Sequence, residues 1–288
     1  MKGAVEYGYF NFECLPQDTP ITGGKTGWPE LDTYFRWYGT QLVVVTGKTG
    51  HGKSLFLFNL LPSILRWQFE TKGDCYKVAM WIPENEGHIH QIFKRLGVTA
   101  DVQERFAVLS ARPKYYTDEP MDYEEVLDRI GVNVEAGGIG FVVLDCWNEL
   151  EIRKPKDENI SDYVRRFLVT AKRWARQLKV CLFITVHPTK DGASKDEPSL
   201  YDAEGSAHWA NKCDNGLIIQ RDYVNNVCKV RSAKVREVGA GTVGSVEFKV
   251  NPQSGLFTPL SGGDYGIRPQ TLGYSNFRKK AAGDYRDS

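Results

Sequence analysis

The sequence lacks the features that mark several classes of protein. No apolar run in its 288 residues reaches the roughly 20 residues that a membrane-spanning helix needs. The first ten residues, MKGAVEYGYF, also lack the apolar core of a signal peptide. The six cysteines form no CxxC pair. We therefore expect a reduced, cytoplasmic protein with no membrane partner.

The sequence has little excess of either charge. Its 37 Lys and Arg residues against 36 Asp and Glu residues give a formal net charge of +1. This balance excludes a uniformly basic nucleic-acid surface, so any contact with DNA must come from local clusters. The apolar fraction of 41% and the charged fraction of 25% are ordinary for a globular protein. The length suits one α/β domain with short extensions.

The chain divides into three predicted segments. Residues 1–26 are rich in aromatic residues and glycine and show no helical periodicity, which predicts an irregular N-terminal arm that could pack on a neighbouring copy. Residues 27–260 carry the periodic patterns and form the predicted main domain. Residues 261–288 are glycine-rich and mixed in charge, and we expect a flexible tail there.

Short apolar runs alternate with helical patterns through most of the domain. Strands are predicted at 41–47, 76–83, 106–110, 140–145, 180–187 and 215–222, and helices at 28–37, 53–69, 88–97, 121–134, 162–179 and 207–214. This alternation predicts an α/β fold with a mostly parallel twisted sheet, flanked by helices. Two further β-rich runs, 227–235 and 244–260, have no helix between them, so we expect antiparallel additions near the C-terminus.

A glycine-rich loop follows the first of these strands. Its sequence, GKTGHGKS, fits the phosphate-binding pattern GxxxxGK(S/T) and stands between an apolar run and a helical pattern, as that function requires. Lys53 would bring positive charge to the β and γ oxygens of ATP, and Ser54 would ligate Mg²⁺. The predicted nucleotide-binding residues of the loop are Gly47, Lys48, Thr49, Gly50, His51, Gly52, Lys53 and Ser54.

An acid at the end of a later strand is the expected second Mg²⁺ residue. Asp145 ends the apolar run FVVLD, the pattern of a Walker B strand whose acid holds Mg²⁺ through water. The spacing along the chain predicts that this strand lies next to the strand of the phosphate-binding loop. The alternative is a buried strand that ends in Asp for reasons of turn formation.

Two further strand ends carry candidate catalytic residues. Glu84 directly follows the run YKVAMWIP, where a carboxylate would face the nucleotide and activate water. His187 ends the run VCLFITV, where an imidazole could sense the γ-phosphate. The alternatives are that Glu84 or Glu86 caps the following helix and that His187 has a structural role.

Basic residues in three places could act on DNA or on a neighbouring copy. Two loops carry candidate single-stranded DNA contacts, namely Arg153, Lys154, Lys156, Lys190 and Lys195. Because acids lie among them, these residues could equally be solvated. Lys234 and Arg236 lie in the β-rich region near the edge of the predicted sheet, and Arg236 could reach the nucleotide of a neighbouring subunit. Their alternative role is a basic strand that blocks aggregation.

Together these motifs resemble the RecA-like ring helicases of DnaB and Twinkle type. The resemblance runs from TGWPELD to SVEFKVN, and DCWNEL, HPTK and GSAHWANKCDNG are most similar to the Twinkle-like phage branch. It implies that Glu84 is the catalytic glutamate, His187 the γ-phosphate sensor, and Arg236 the arginine finger with Lys234 beside it. It also implies a homohexamer in phage-infected bacterial cytosol, with single-stranded DNA and a separate primase or polymerase as partners.

The sequence departs from that family in two respects. His51 stands where the family commonly has a small residue, and we expect neither a primase or zinc module nor linker helices before the loop. Ring assembly would then depend on the short arm or on the core. The leading hypothesis is an ATP-dependent replicative DNA helicase. The alternatives are a RecA-like recombination or packaging accessory that does not unwind DNA, and a small-molecule kinase, which the absence of an Arg-rich lid disfavours.

Overall fold

The computed structural model describes residues 21–110 and 121–260, together with the backbone of two short segments near the N-terminus. These segments, β1 (Ala4–Val5) and β2 (Tyr9–Phe10), pair antiparallel. The rest of the predicted arm up to residue 20 and the whole predicted tail lie outside the described residues. The described end of the arm contacts the domain, since the Gly23 N–H donates to the Gly239 carbonyl at 3.0 Å.

Nine strands form the main sheet. In chain order they are β3 (Leu42–Thr46), β4 (Lys77–Trp81), β5 (Phe106–Leu109), β6 (Ile139–Leu144), β7 (Cys181–Val186), β8 (Asn215–Asp222), β9 (Val227–Val235), β10 (Gly244–Val250) and β11 (Phe257–Pro259). Their order across the sheet is β11-β10-β9-β8-β3-β7-β6-β4-β5. The six neighbouring strands β8, β3, β7, β6, β4 and β5 are parallel. Strands β9, β10 and β11 continue the sheet from β8 with antiparallel pairing, which confirms the predicted fold.

Helices connect the parallel strands. They are α1 (Pro29–Asp32), α2 (Lys53–Lys72), α3 (Ile89–Arg95), α4 (Ala100–Gln103), α5 (Tyr123–Glu135), α6 (Ile160–Gln177), α7 (Lys190–Ser194) and α8 (His208–Lys212). Helix α2 runs three residues beyond its predicted end, because Gly73 terminates it in the left-handed conformation and donates to the Phe69 carbonyl. The one-turn helices α4 and α7 were not predicted, because each is too short for a helical periodicity to appear in its sequence. Helix α7 lies in the loop after His187.

Apolar side chains cover both faces of the sheet. On one face α2 contributes Phe56, Leu60 and Ile64, all fully buried. On the other, α6 and α8 contribute Phe167 and Trp209. Because both faces are covered, the central strands are buried throughout and almost entirely apolar, unlike strands with one face in water. In the part of the chain that the structure describes, no helix combines the length and apolar character needed to cross a bilayer.

The strand order corrects one prediction. Strand β6, which ends just before Asp145, does not lie next to β3, because β7 lies between them: Val43 pairs with Phe183, and Phe183 pairs with Val143. Distance along the chain gave no sign that a later strand would insert there. As a result His187, at the end of β7, lies between the glycine-rich loop and Asp145.

Candidate nucleotide site at the carboxyl edge of the sheet

The glycine-rich loop joins β3 directly to α2. Gly47 has a φ of 151°, and a Cβ atom there would lie 2.2 Å from the Ile219 carbonyl oxygen of β8, so a side chain cannot be accommodated. Gly52 precedes α2 in the left-handed conformation, with a φ of 88°. The loop therefore leads tightly into the start of a 20-residue helix, whose first unpaired N–H groups favour a phosphate.

Lys53 is the buried cation of the loop. Its side chain is only 6% exposed, and its Nζ lies 3.0 Å from the Gly47 carbonyl oxygen and 3.0 Å from His187 Nδ1. Burial lowers the pKa of Lys53 below its usual range, and the negative charges of Asp145 and Glu84 oppose that shift. Loop oxygens and a histidine thus surround the ammonium where phosphate oxygens are expected.

Asp145 lies beneath this loop with one oxygen unpaired. Its Oδ1 accepts a hydrogen bond from the Thr185 hydroxyl at 2.5 Å, while Oδ2 is buried and has no hydrogen-bond partner. Burial raises the pKa of Asp145, and the hydroxyls of Thr185 and Ser54 oppose this. A buried, unpaired carboxylate oxygen close to Ser54 fits a Mg²⁺ site, because Mg²⁺ prefers oxygen ligands and bound water.

The predicted residues at the strand ends meet in one cleft. The cleft has a volume of about 360 Å³, and its lining includes Lys53, Ser54, Glu84, Asp145 and His187. Lys53 and Ser54 begin α2, and the other three residues follow β4, β6 and β7. All five therefore lie at the carboxyl edge of the parallel strands, where open α/β sheets bind ligands. The structure brings these five predicted residues together, although their roles remain predictions.

Cys146 and Arg95 are among the cleft residues that were not predicted. Cys146 was interpreted only as part of an apolar run, yet its Sγ lies 3.5 Å from His187 Nε2. Arg95 of α3 also lines the cleft. Nothing in the sequence pattern indicated Arg95, whereas the position of Cys146 directly after Asp145 could have indicated that it lies at the same strand end.

The turn between β8 and β9 contacts the glycine-rich loop. The backbone N–H of Arg221 donates to His51 Nδ1 at 3.1 Å, and the hydroxyl of Tyr223 donates to the Gly50 carbonyl. The Arg221 guanidinium lies 5.3 Å from the centre of the Tyr223 ring. The unusual histidine of the loop therefore has a structural partner, which the sequence did not indicate.

Lys234 and Arg236 lie at the opposite edge of the sheet. Strand β9 runs antiparallel to β8, so its last residue, Val235, pairs with the first residue of β8, Asn215. Arg236 Nε lies 3.0 Å from Asp214 Oδ1, and Lys234 Nζ donates to the Ala210 carbonyl at 2.6 Å. Neither residue lines the cleft of its own chain.

The predicted DNA contacts are partly engaged within the chain. Arg153 Nε lies 2.6 Å from a Glu151 carboxylate oxygen, Lys154 Nζ donates to the Glu158 carbonyl at 2.5 Å, and Lys195 Nζ lies 2.5 Å from Asp202 Oδ1. Lys156 and Lys190 are exposed. Their contact with DNA remains a prediction, and the intramolecular pairs would compete with it.

Known proteins are similar to this chain in sequence and in fold. Residues 18–193, more than half of the chain, match the family model described as AAA domain. A Twinkle homolog protein of chloroplasts and mitochondria from Arabidopsis thaliana is 28% identical over 260 residues, which cover 82% of this chain and 36% of that relative. The chain thus spans about a third of the length of this relative.

Two solved structures share the fold. One, described as an ATPase domain, superposes with a TM-score of 0.65 at 18% identity, covering 84% of this chain and 93% of that one. A DnaB-like replicative helicase, solved in a study of its interactions with primase, gives a TM-score of 0.63 at 19% identity and covers 85% of this chain and 65% of its own. The matches confirm the predicted RecA-like fold and the resemblance to DnaB- and Twinkle-type helicase domains.

Proposed function

Because the chain belongs to the AAA domain family and is a helicase-like ATPase domain, we propose that it is the motor of a replicative DNA helicase. One observation carries the proposal: Lys53, Ser54, Glu84, Asp145 and His187 converge in a single cleft at the carboxyl edge of the sheet. In the proposed reaction ATP binds in this cleft, and its hydrolysis drives movement along single-stranded DNA.

Each side chain of the cleft has a proposed role. Glu84, which is exposed at the mouth of the cleft, orients the attacking water and accepts its proton. Lys53 exchanges its present oxygen partners for the β and γ oxygens of ATP. Ser54 and Asp145 would hold Mg²⁺, which supplies positive charge to the same oxygens. His187 contacts the γ-phosphate and passes its state to the loop that contains α7.

Arg236 is proposed to complete the cleft of a neighbouring copy. Its position at the edge of the sheet opposite the glycine-rich loop supports a role between chains. The guanidinium would stabilise charge that develops on the transferred phosphoryl group, with Lys234 beside it. A closed ring of identical chains, which we propose to be a homohexamer, supplies such a neighbour to every cleft.

The proposed partners follow from this assembly. Single-stranded DNA would contact the basic loops, through the exposed Lys156 and Lys190 first and through Arg153, Lys154 and Lys195 once they leave their acidic or carbonyl partners. A separate primase or polymerase is the proposed protein partner. We also propose a cytoplasmic location, and the free cysteines among the described residues support a reducing compartment.

Replacement of Glu84 by glutamine tests the motor mechanism. The glutamine would keep the size of the side chain but could not accept a proton, so ATP turnover should fall by roughly 100-fold or more while nucleotide binding persists. Turnover is measured by phosphate release with and without single-stranded DNA, and binding by a fluorescent ATP analogue. Wild-type turnover in Glu84→Gln would remove Glu84 from the mechanism.

A matched variant and a second assay sharpen this test. Glu86→Gln changes a nearby carboxylate that accepts a hydrogen bond from Ser110 at 2.6 Å, and it should lower turnover far less. Strand displacement on a forked duplex then separates a helicase from the alternative. If DNA stimulates hydrolysis but the assembled protein displaces no strand, the chain is a RecA-like accessory and not a helicase.

A further inference from the structure

Cys146 has no role in the proposed reaction, yet it lines the cleft. Its thiol is 1% exposed, and Sγ lies 3.5 Å from His187 Nε2. A carboxylate oxygen of Glu84 joins them, and one ligand atom from each of the three residues lies within 4.8 Å of the other two. A sulfur, an imidazole nitrogen and a carboxylate oxygen therefore face one another.

This combination of ligands differs from the one that binds Mg²⁺. Mg²⁺ prefers oxygen, whereas Zn²⁺ is bound in proteins by thiolate, imidazole and carboxylate, and sites with three protein ligands keep a fourth position open. We propose that Cys146, His187 and Glu84 form a site for a thiophilic divalent cation, Zn²⁺, which is occupied in the absence of nucleotide.

The groups around the cleft favour a cation there. The carboxylates of Glu84 and Asp145, which both line the cleft, attract a metal ion, which takes the place of the Cys146 thiol proton as that proton passes to water. His187 Nδ1 accepts from the Lys53 ammonium at 3.0 Å, so the imidazole is neutral and available as a ligand.

Metal binding requires one rearrangement of the histidine. The Lys53 ammonium donates to Nδ1 at 3.0 Å, which puts the proton of the neutral ring on Nε2. A metal ion on Nε2 would shift this proton to Nδ1. The Thr49 hydroxyl, 3.3 Å from Nδ1, could then accept it, and Lys53 would retain the Gly47 carbonyl oxygen as a partner. Such a partner on the second nitrogen is typical of metal-bound histidine.

Occupation of this site would stop ATP turnover. Glu84 and His187 are the proposed water-activating and γ-phosphate-sensing residues, and a bound Zn²⁺ would engage both. This consequence, unlike the site itself, rests on the proposed function. Zn²⁺ would then act as a reversible inhibitor that competes with Mg²⁺-bound ATP.

Cobalt titration of the nucleotide-free full-length chain tests the site without reference to activity. Co²⁺ substitutes for Zn²⁺ in such sites, and a bond to thiolate gives a near-ultraviolet charge-transfer absorption. We expect this absorption in the wild-type chain and in Cys75→Ser, a control that changes a cysteine outside the cluster. It should be lost in Cys146→Ser, and one equivalent of Zn²⁺ should abolish it in the wild type.

Affinity and inhibition complete the test. Cys146→Ser and Cys146→Ala should each bind Zn²⁺ at least about tenfold more weakly than Cys75→Ser, with circular dichroism confirming that all three fold. In ATPase assays, Zn²⁺ should slow the wild type relative to its own zinc-free rate, and a zinc-selective chelator should reverse this. A wild-type cobalt spectrum without the thiolate band, or with one that survives in both Cys146 variants, would overturn the site. An inactive chain that still shows the band would contradict the proposed function alone.

Discussion

Asp214 connects the strand that leads into the glycine-rich loop with Arg236, the proposed arginine finger, within one chain. Its carboxylate is 2% exposed and accepts the backbone N–H of Leu42, the first residue of β3, at 3.0 Å. Its other oxygen contacts Lys172 of α6 and lies 3.0 Å from Arg236 Nε. One buried acid thus fixes the start of the strand that carries the glycine-rich loop and orients the proposed arginine finger.

Removal of this carboxylate should be costly to stability. In Asp214→Ala the ammonium of Lys172 would lose its carboxylate and keep only the Lys212 carbonyl, and the N–H of Leu42 would lose its partner, so we expect a loss of about 3 kcal/mol in the free energy of unfolding. Asp214→Asn keeps an acceptor and should lose less. Urea denaturation measures both. The exposed Asp157→Ala should stay within about 0.5 kcal/mol of wild type, and a similar value for Asp214→Ala would contradict the argument.

At this scale the sequence indicated several polar residues of the cleft, but not that Cys146 and Arg95 lie there, nor how the side chains are paired. Lys53, Glu84, Asp145 and His187 each stand beside an apolar run, so a parallel sheet alone brings them to one edge. The hydrogen bonds from the Thr185 hydroxyl to Asp145 and from the Leu42 N–H to Asp214 depend on which strands are neighbours. No pattern within a single strand contains that information.

The contact between the β8–β9 turn and the glycine-rich loop connects two elements that are distant in sequence. His51 accepts the N–H of Arg221, and the Tyr223 hydroxyl donates to the carbonyl of Gly50. The first bond needs a neutral His51, since a protonated imidazole has no acceptor nitrogen. The turn therefore fixes the loop in a way that should depend on pH.

Acidification should weaken this contact. Burial, followed by the charges of Lys48 and Lys53, lowers the pKa of His51 below its ordinary value of 6.5, so the unfolded chain binds the proton more readily than the folded one. The contribution of this contact to stability should be fully present above the pKa of His51 in the unfolded chain, and it should be lost as the pH falls below that value. Thermal unfolding between about pH 7.5 and 5.5 measures this loss.

Two variants separate His51 from other titrating groups. In His51→Asn the side chain retains an acceptor but does not titrate, so the loss of melting temperature on acidification should be smaller than in wild type. The control His88→Asn changes an exposed histidine next to α3 and should behave as wild type. An unchanged pH dependence in His51→Asn would show that the contact does not contribute.

The alternation of strands and helices was predictable, whereas their lateral order was not. Each long element has a clear period, and the antiparallel β9 and β10 are evident because no helix separates them. The insertion of β7 between β3 and β6 follows from how the crossover helices pack on the two faces of the sheet. The spacing between motifs does not encode that packing, so the predicted neighbour of the β3 strand was wrong.

The whole molecule is asymmetric in its chemistry. The cleft lies at the carboxyl edge of the parallel strands, and Arg236 lies at the amino edge. Beside Arg236 is a second cavity of about 550 Å³, lined also by Lys172, Arg173, Arg176 and Lys212. Its concentration of positive charge suits a surface that meets phosphate groups held by another copy.

Mixing of two inactive variants tests whether Arg236 acts between chains. Arg236→Ala should lower ATP turnover roughly a thousandfold, and Glu84→Gln should also be inactive. Once they are mixed in equal amounts and reassembled, some clefts would contain Glu84 from one variant and receive Arg236 from the other. About a quarter of wild-type activity should return if chains mix at random in a closed ring.

Two comparisons make this result decisive. Wild type mixed with Glu84→Gln shows how far an inactive neighbour lowers activity by itself. If the two inactive variants restore nothing although native mass spectrometry detects mixed assemblies, Arg236 serves its own cleft or none. The trans assignment would then have to be abandoned.

The separation of the two edges also sets how activity should scale with dilution. A single chain would contain two incomplete halves of a site and no complete cleft. An open row of n chains would contain n − 1 complete clefts, and a closed ring of n chains would contain n. The rate per chain would then be no fixed property of the polypeptide: it would vanish at low protein concentration and reach a plateau only when rings close.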